Sequence, residues 1–141
     1  MCGPIIFITT ASIKEGKLED YKRFAKELLE NFEAREPQII AMNVFLNEDG
    51  TEMTSIQIHP NAASMDSHME VVNQVLGEDM AQWVDRADFL EIKHIEIYGM
   101  PSEAVLKADQ PWVDSGAITR GLKPVHVAGF TRSTSGRAHP R

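Results

Sequence analysis

The chain has 141 residues, 43% of them hydrophobic and 25% charged, with 14 Lys and Arg against 21 Asp and Glu for a net charge of −7. This is the size of one globular domain with room for a buried core, and its acidity excludes a general binder of nucleic-acid backbones, which relies on Lys and Arg. No apolar run approaches the roughly 18 residues of a membrane span, no basic segment opens the chain, and one cysteine cannot close an internal disulfide, so the expected setting is the cytoplasm, without a membrane partner.

Ile5–Ile13 (IIFITTASI) is rich in β-branched residues and predicts a first strand. Lys14-Glu15-Gly16 turns the chain into Lys17–Ala34, where Leu18, Tyr21, Phe24, Ala25, Leu28 and Phe32 recur at helical spacing. Glu36-Pro37 ends that helix, because the residue before proline is pushed out of helical geometry. Ile39–Leu46 and Thr51–His59 predict two more strands. Asn47-Glu48-Asp49-Gly50 lies between them, and Asp-Gly favours a tight hairpin. Pro60-Asn61 opens a second helix with Met65, Met69, Val72 and Leu76 on one face. Gly77 breaks it, and Glu78–Ala87 continues as a short helix carrying Met80, Trp83 and Val84. Glu91–Tyr98 alternates Ile95 and Ile97 against His94, Glu96 and Tyr98, a fourth strand. Beyond it, Pro101–Ala108 predicts a helical turn, Asp109–Gly121 a loop, Pro124–Thr131 (PVHVAGFT) a fifth strand and Ser133–Arg141 a frayed end.

The order β-α-β-β-α-β defines an α+β, ferredoxin-like fold: an antiparallel sheet in the order 4-1-3-2 with both helices on one face. Residues 1–108 form this domain and 109–141 a C-terminal extension. Charge divides the same way, with nine basic and 21 acidic side chains in residues 1–114 against five basic and none acidic in 115–141. The extension is therefore expected to lie on an acidic surface, and its strand to pair with an edge of the sheet, preferably a partner subunit's.

Side-chain alternation sorts the strands into faces. Met42, Val44, Leu46, Thr54, Ile56, Ile58, Ile95 and Ile97 are assigned to the helices. Asn43, Phe45, Ser55, Gln57, His59, His94, Glu96 and Tyr98 are left on the open face, and the first strand fits either way. An open face with Phe45 and Tyr98 on it is expected to be covered, which predicts a homodimer.

Several stretches resemble the antibiotic biosynthesis monooxygenase-like family of dimeric α/β-barrel proteins. They are Ile13–Tyr21 (IKEGKLEDY), Glu36-Pro37, the hairpin Asn47–Thr51 (NEDGT) and the passage Ile58–Ser64 (IHPNAAS). Tyr98–Ala104 and Val127–Thr131 resemble a branch of it with an added C-terminal arm. The resemblance implies two sheets closed face to face into a barrel, with ligand cavities along the sheet faces. It also implies relatives that oxygenate polycyclic phenols without a cofactor. Haem-degrading members carry an Asn on the first strand, and Ile5–Ile13 has none. His59 and His94 are then the candidate catalytic bases, since histidine titrates near neutrality. Asn43, Phe45, Gln57, Glu96 and Tyr98 are the candidate substrate contacts.

Other chemistry has little behind it. His59, His68 and His94 lack the spacing of a zinc site, and no glycine-rich phosphate loop is present, so no metal and no cofactor are expected. His68, between Met65 and Val72, reads as a boundary histidine. Cys2 follows Met1 as in N-terminal-nucleophile amidotransferases, but 141 residues are too few for that fold. The expected function is a cofactor-independent, monooxygenase-like protein that takes a small apolar or aromatic molecule into a sheet-face cavity. The alternative is a non-catalytic ligand-binding or assembly protein on the same fold.

Overall fold

The computed structural model describes residues 3–79 and 89–132. Its sheet contains β1 (Ile5–Ile13), β2 (Ala41–Leu46), β3 (Glu52–His59), β4 (Leu90–Tyr98) and β5 (Thr119–Lys123), in the order β2-β3-β1-β4-β5. The first four are antiparallel neighbours in the predicted order. β5 is added in parallel to the outer edge of β4, making the sheet mixed and five-stranded.

α1 (Leu18–Arg35) follows β1. α2 (Ala62–Gln74) follows β3 and runs on through a π-helical turn, Val75–Asp79. The short helix expected over Glu78–Ala87 falls, beyond residue 79, outside the described residues. α1 buries Tyr21, Phe24, Leu28 and Phe32, the stripe its periodicity predicts, against Ala11 and Met53 of the sheet. A second cluster joins Ile5, Ile95 and Ile97 to Met65 of α2. Both helices therefore cover one face.

Gly77 does not break the second helix, which passes through it in the π-helical turn, and three further expectations need correction. The first is the facing of β3. Met53, Ser55, Gln57 and His59 are buried, while Thr54, Ile56 and Ile58 are half-buried on the open face. The hairpin fixes this phase by pairing Leu46 with Met53, and a shift of one residue would move every side chain across the sheet. Gln57 and His59 are consequently on the helix side, not the open face. Ile6 and Ile8 pair with Ile58 and Ile56, so the centre of the open face is isoleucine.

The second is the Asp109–Gly121 loop. After α3 (Glu103–Ala108), the chain forms α4 (Gln110–Ser115) and then β5. Pro111 sits in the first turn of α4, where its missing N–H costs nothing. Gly116 closes the helix in the left-handed region at φ 85°. Within the stretch read as a loop, these two residues are a helix start and stop.

The third is the fifth strand. It is Thr119–Lys123, not Pro124–Thr131, and it pairs with its own β4. Residues 124–132 form no strand, and Val125, Val127 and Phe130 are 78%, 90% and 82% exposed.

Candidate functional site

A cavity of about 260 Å³ lies between the helix-covered face of the sheet and the helices. Its floor includes Phe7, Thr9, Ser55 and Gln57, and its walls include Phe32 of α1, His68 of α2 and Trp112 of α4. The lining is mostly apolar with a few converging polar groups, the usual make-up of a small-molecule site.

Two hydrogen-bonded relays supply those polar groups. In the first, Glu36 closes α1. Pro37 forces the chain to leave the helix there, and the Glu36 N–H bonds to Phe32 O at 2.9 Å. A carboxylate at the negative end of a helix is disfavoured. Here it is buried and receives two donors, His68 Nδ1–H at 2.8 Å and the Gln38 amide at 3.2 Å. His68 is held further by the edge of Phe32, with ring centroids 4.7 Å apart. With Nδ1 committed as donor to the carboxylate, the basic lone pair of the imidazole is on Nε2.

The second relay crosses from β3 to α2. Asn61 caps α2 by accepting from Ser64 N–H at 2.9 Å, which sets Ser64 beside the end of β3. His59 is fully buried, with Nδ1 2.8 Å from Ser64 Oγ and Nε2 3.0 Å from Gln57 Oε1. The amide oxygen only accepts, so Nε2–H donates to it and Ser64 O–H donates to Nδ1. Burial, with the nearby His68 ring contributing, pushes the His59 pKa down to about 4. His59 is therefore neutral near pH 7. With both nitrogens engaged, it is not free to take a proton from a ligand. Its effect is to fix Gln57 so that the amide N–H₂ is the group offered to the cavity.

The C-terminal extension completes the enclosure. Arg120 of β5 donates to Leu106 O at 2.9 Å and Gln110 Oε1 at 2.7 Å and forms an ion pair with Asp109, which also lines the cavity. Ser102 caps α3 and donates to Asp66 of α2 at 2.6 Å. The residues that set Trp112 at the wall are thus tied to both neighbouring helices.

The remaining sequence-predicted site residues lie on the open face. His94 bonds to Thr119 and, at 3.0 Å, to Glu96, while Lys123 stands over the Tyr98 ring at 5.6 Å. Asn43 and Phe45 are on β2, three strand spacings or about 14 Å across the sheet from β4. The structure does not gather these five into one site, and among the described residues no three His, Cys, Asp or Glu side chains are grouped to hold a metal ion.

Sequence reasoning passed over Glu36, His68, Asp109 and Trp112. For Glu36 a signal was available, an acid at a helix C-terminus against the dipole.

No family profile and no curated protein matches the chain. Solved structures do match. The chain is similar to MupZ from Pseudomonas fluorescens at 18% identity, over 94% of this chain and 91% of that one, with a TM-score of 0.65. It is similar to a Nitrosomonas europaea protein named after the antibiotic biosynthesis monooxygenases at 21% identity, over 71% and 92%, with a TM-score of 0.54. A Shewanella loihica PV-4 protein named after the monooxygenases matches at 16% identity over 72% and 98%, with a TM-score of 0.53. The chain has the fold of the antibiotic biosynthesis monooxygenase-like proteins, and the resemblance read in its sequence holds at that level. The match to MupZ spans nearly the whole chain, whereas the other two leave more than a quarter of it unmatched.

Proposed function

We propose that the protein binds a small apolar or aromatic phenol or enol in the cavity between sheet and helices. There it removes the substrate's proton, the opening step of a cofactor-independent monooxygenation. The observation that carries this reading is His68 on the wall of a mostly apolar cavity, backed from behind by the buried Glu36 carboxylate. His68 Nε2 takes the O–H proton, and Glu36 stabilises the resulting imidazolium through Nδ1–H. Neutral His59, 5.5 Å away between ring centroids, adds no opposing charge. The Gln57 amide N–H donates to the developing oxyanion. Dioxygen then reacts with the anion. One oxygen atom ends as a carbonyl on the substrate and the other leaves as water with the two hydrogens lost, one from O–H and one from C–H. The volume suits a small ring system, below the roughly 300 Å³ at which drug-sized pockets begin.

The test pairs binding with turnover, using anthrone and two-ring phenols as trial substrates. Binding is read by Trp fluorescence and titration calorimetry, and turnover by oxygen uptake. His68→Gln is expected to bind as the wild type does and to lose at least about 100-fold in uptake. Binding without uptake by the wild type would sink the catalytic reading and support a ligand-binding protein instead.

A further inference from the structure

Among the described residues, the apolar segment after β5 pairs with no strand of its own subunit, and one edge of the sheet is unpaired as well. β5 occupies the β4 edge, so among the described residues β2 is the edge left open. Beside it, between β2 and α1, runs a groove of about 670 Å³ whose lining includes Glu30, Glu33, Phe32 and Met42. Phe32 and Met42 also line the enclosed cavity, so this groove is backed by the cavity wall. An open strand edge is a template for another strand. Pro124–Thr131 has the β-branched and aromatic content of one, with Val125 and Val127 on the same side of an extended chain. Its exposed apolar side chains, at 78%, 90% and 82% for Val125, Val127 and Phe130, call for cover. The charges agree: Arg132 follows the segment, which holds no acid, and on the groove Glu30 and Glu33 outnumber Lys26.

Reach decides whose segment it is. The slot outside β2 lies five strand spacings from β5, or about 24 Å. Eight extended residues span about 26 Å. A segment crossing its own sheet would be used up in the crossing, with nothing left to pair.

We propose that residues 124–131 of one copy of this chain dock along β2 and the α1 groove of a second copy. Each segment then adds a strand to the partner's open edge and covers the outer wall of the partner's cavity. Phe130 enters the apolar part of the groove, and Arg132 faces its acidic rim.

Photo-cross-linking tests this on the full chain. Phe130→p-benzoylphenylalanine protein is mixed with ¹⁵N-labelled wild-type chains, irradiated and mapped by mass spectrometry. The expected products join residue 130 of the unlabelled chain to residues 26–46 of the labelled one. Cross-links confined to one chain, or joining two chains elsewhere, would overturn the proposal, even if the protein is dimeric by another surface. Hydrogen exchange gives an independent reading. Val125→Asp/Val127→Asp is expected to lower protection of the β2 amides at least tenfold while β1 keeps its protection. Unchanged protection in β2 would also overturn it.

Discussion

On the helix-covered face of the sheet, polar side chains are enclosed and ordered. Ser64, His59 and Gln57 form one chain of hydrogen bonds, and Gln38, Glu36 and His68 another. On the open face the arrangement is reversed: Ile6, Ile8, Ile56 and Ile58 stand half-exposed in the middle, and the polar cluster of His94, Glu96 and Thr119 sits toward one edge. Hydrophobicity alone would sort these residues the other way. Polar groups are kept inside at the cost of desolvation only where hydrogen bonds repay it, and a contiguous apolar patch at a surface points to an interaction there. The phase of strand β3 thus places enclosed polar relays on one face and a half-exposed isoleucine cluster on the other.

The contrast is sharpest between two glutamates. Glu36 is 3% exposed and holds His68, whereas the Glu96 side chain is 26% exposed and holds His94. Glu36→Ala leaves a buried N–H without its acceptor and is expected to cost about 3 kcal/mol, within the range for breaking a buried pair. Glu96→Ala is expected to cost about 1 kcal/mol or less. Urea unfolding at pH 7.5 measures both. If the two costs came out equal, the distinction between an enclosed and a peripheral cluster would fail.

Acid probes the same enclosure. The His59 pKa is about 4 in the folded chain against 6.5 for a free histidine. Above pH 6.5 neither state binds the proton, and the native state has its full stability. As pH falls from 6.5 toward 4, the unfolded chain takes up a proton that the buried ring refuses, so stability is lost. The gap between the two values corresponds to about 3 kcal/mol when complete. His59→Gln, whose amide keeps hydrogen-bonding capacity, is expected to flatten this part of the profile. A wild-type profile already flat between pH 6.5 and 4.5 would mean that the ring admits water.

The strand and helix order through β4 was legible because its signals are local: a helical stripe from Leu18 to Phe32, an Asp-Gly hairpin and alternation in Ile95 and Ile97. The phase of β3 was not, because its pattern is apolar on one side and polar on the other whichever way it faces. Only the pairing of Leu46 with Met53 decides between them. β5 was missed because Thr119–Lys123 (TRGLK) has little strand character of its own. It forms because β4 offers an edge and Arg120 locks to Asp109 and Gln110. His68 looked like packing because its partner, Glu36, is 32 residues away in sequence.

The open face has its own test. Ile56→Lys places a charge at the centre of the isoleucine cluster without touching either relay. A dimer closed through this face is expected to weaken at least tenfold, read by light scattering as a shift toward the 15.8 kDa chain mass, with monomer unfolding changed by about 0.5 kcal/mol. A dimer unaffected by the lysine would remove the reason given for isoleucine on that face. Wild-type protein already at the chain mass would remove the dimer itself.

The smallest effect isolates the polar cluster on that face. Gly121 of β5 lies directly over Glu96, and a Cβ there would run into the Glu96 carboxylate. Gly121→Ala is therefore expected to push the carboxylate aside, loosen its contact with His94 and cost about 1 kcal/mol, the scale of one net hydrogen bond. In a Glu96→Ala background the obstacle is gone. The same substitution should then be neutral or slightly stabilising, since alanine loses less backbone freedom than glycine on folding. The double-mutant cycle reads the difference as a coupling of about 1 kcal/mol between residues 96 and 121. Ligand binding in the cavity on the other face should be unchanged in all three variants. If Glu96→Ala abolishes binding instead, the ligand lies on the open face with His94 and Tyr98, and the helix-side relays are structural.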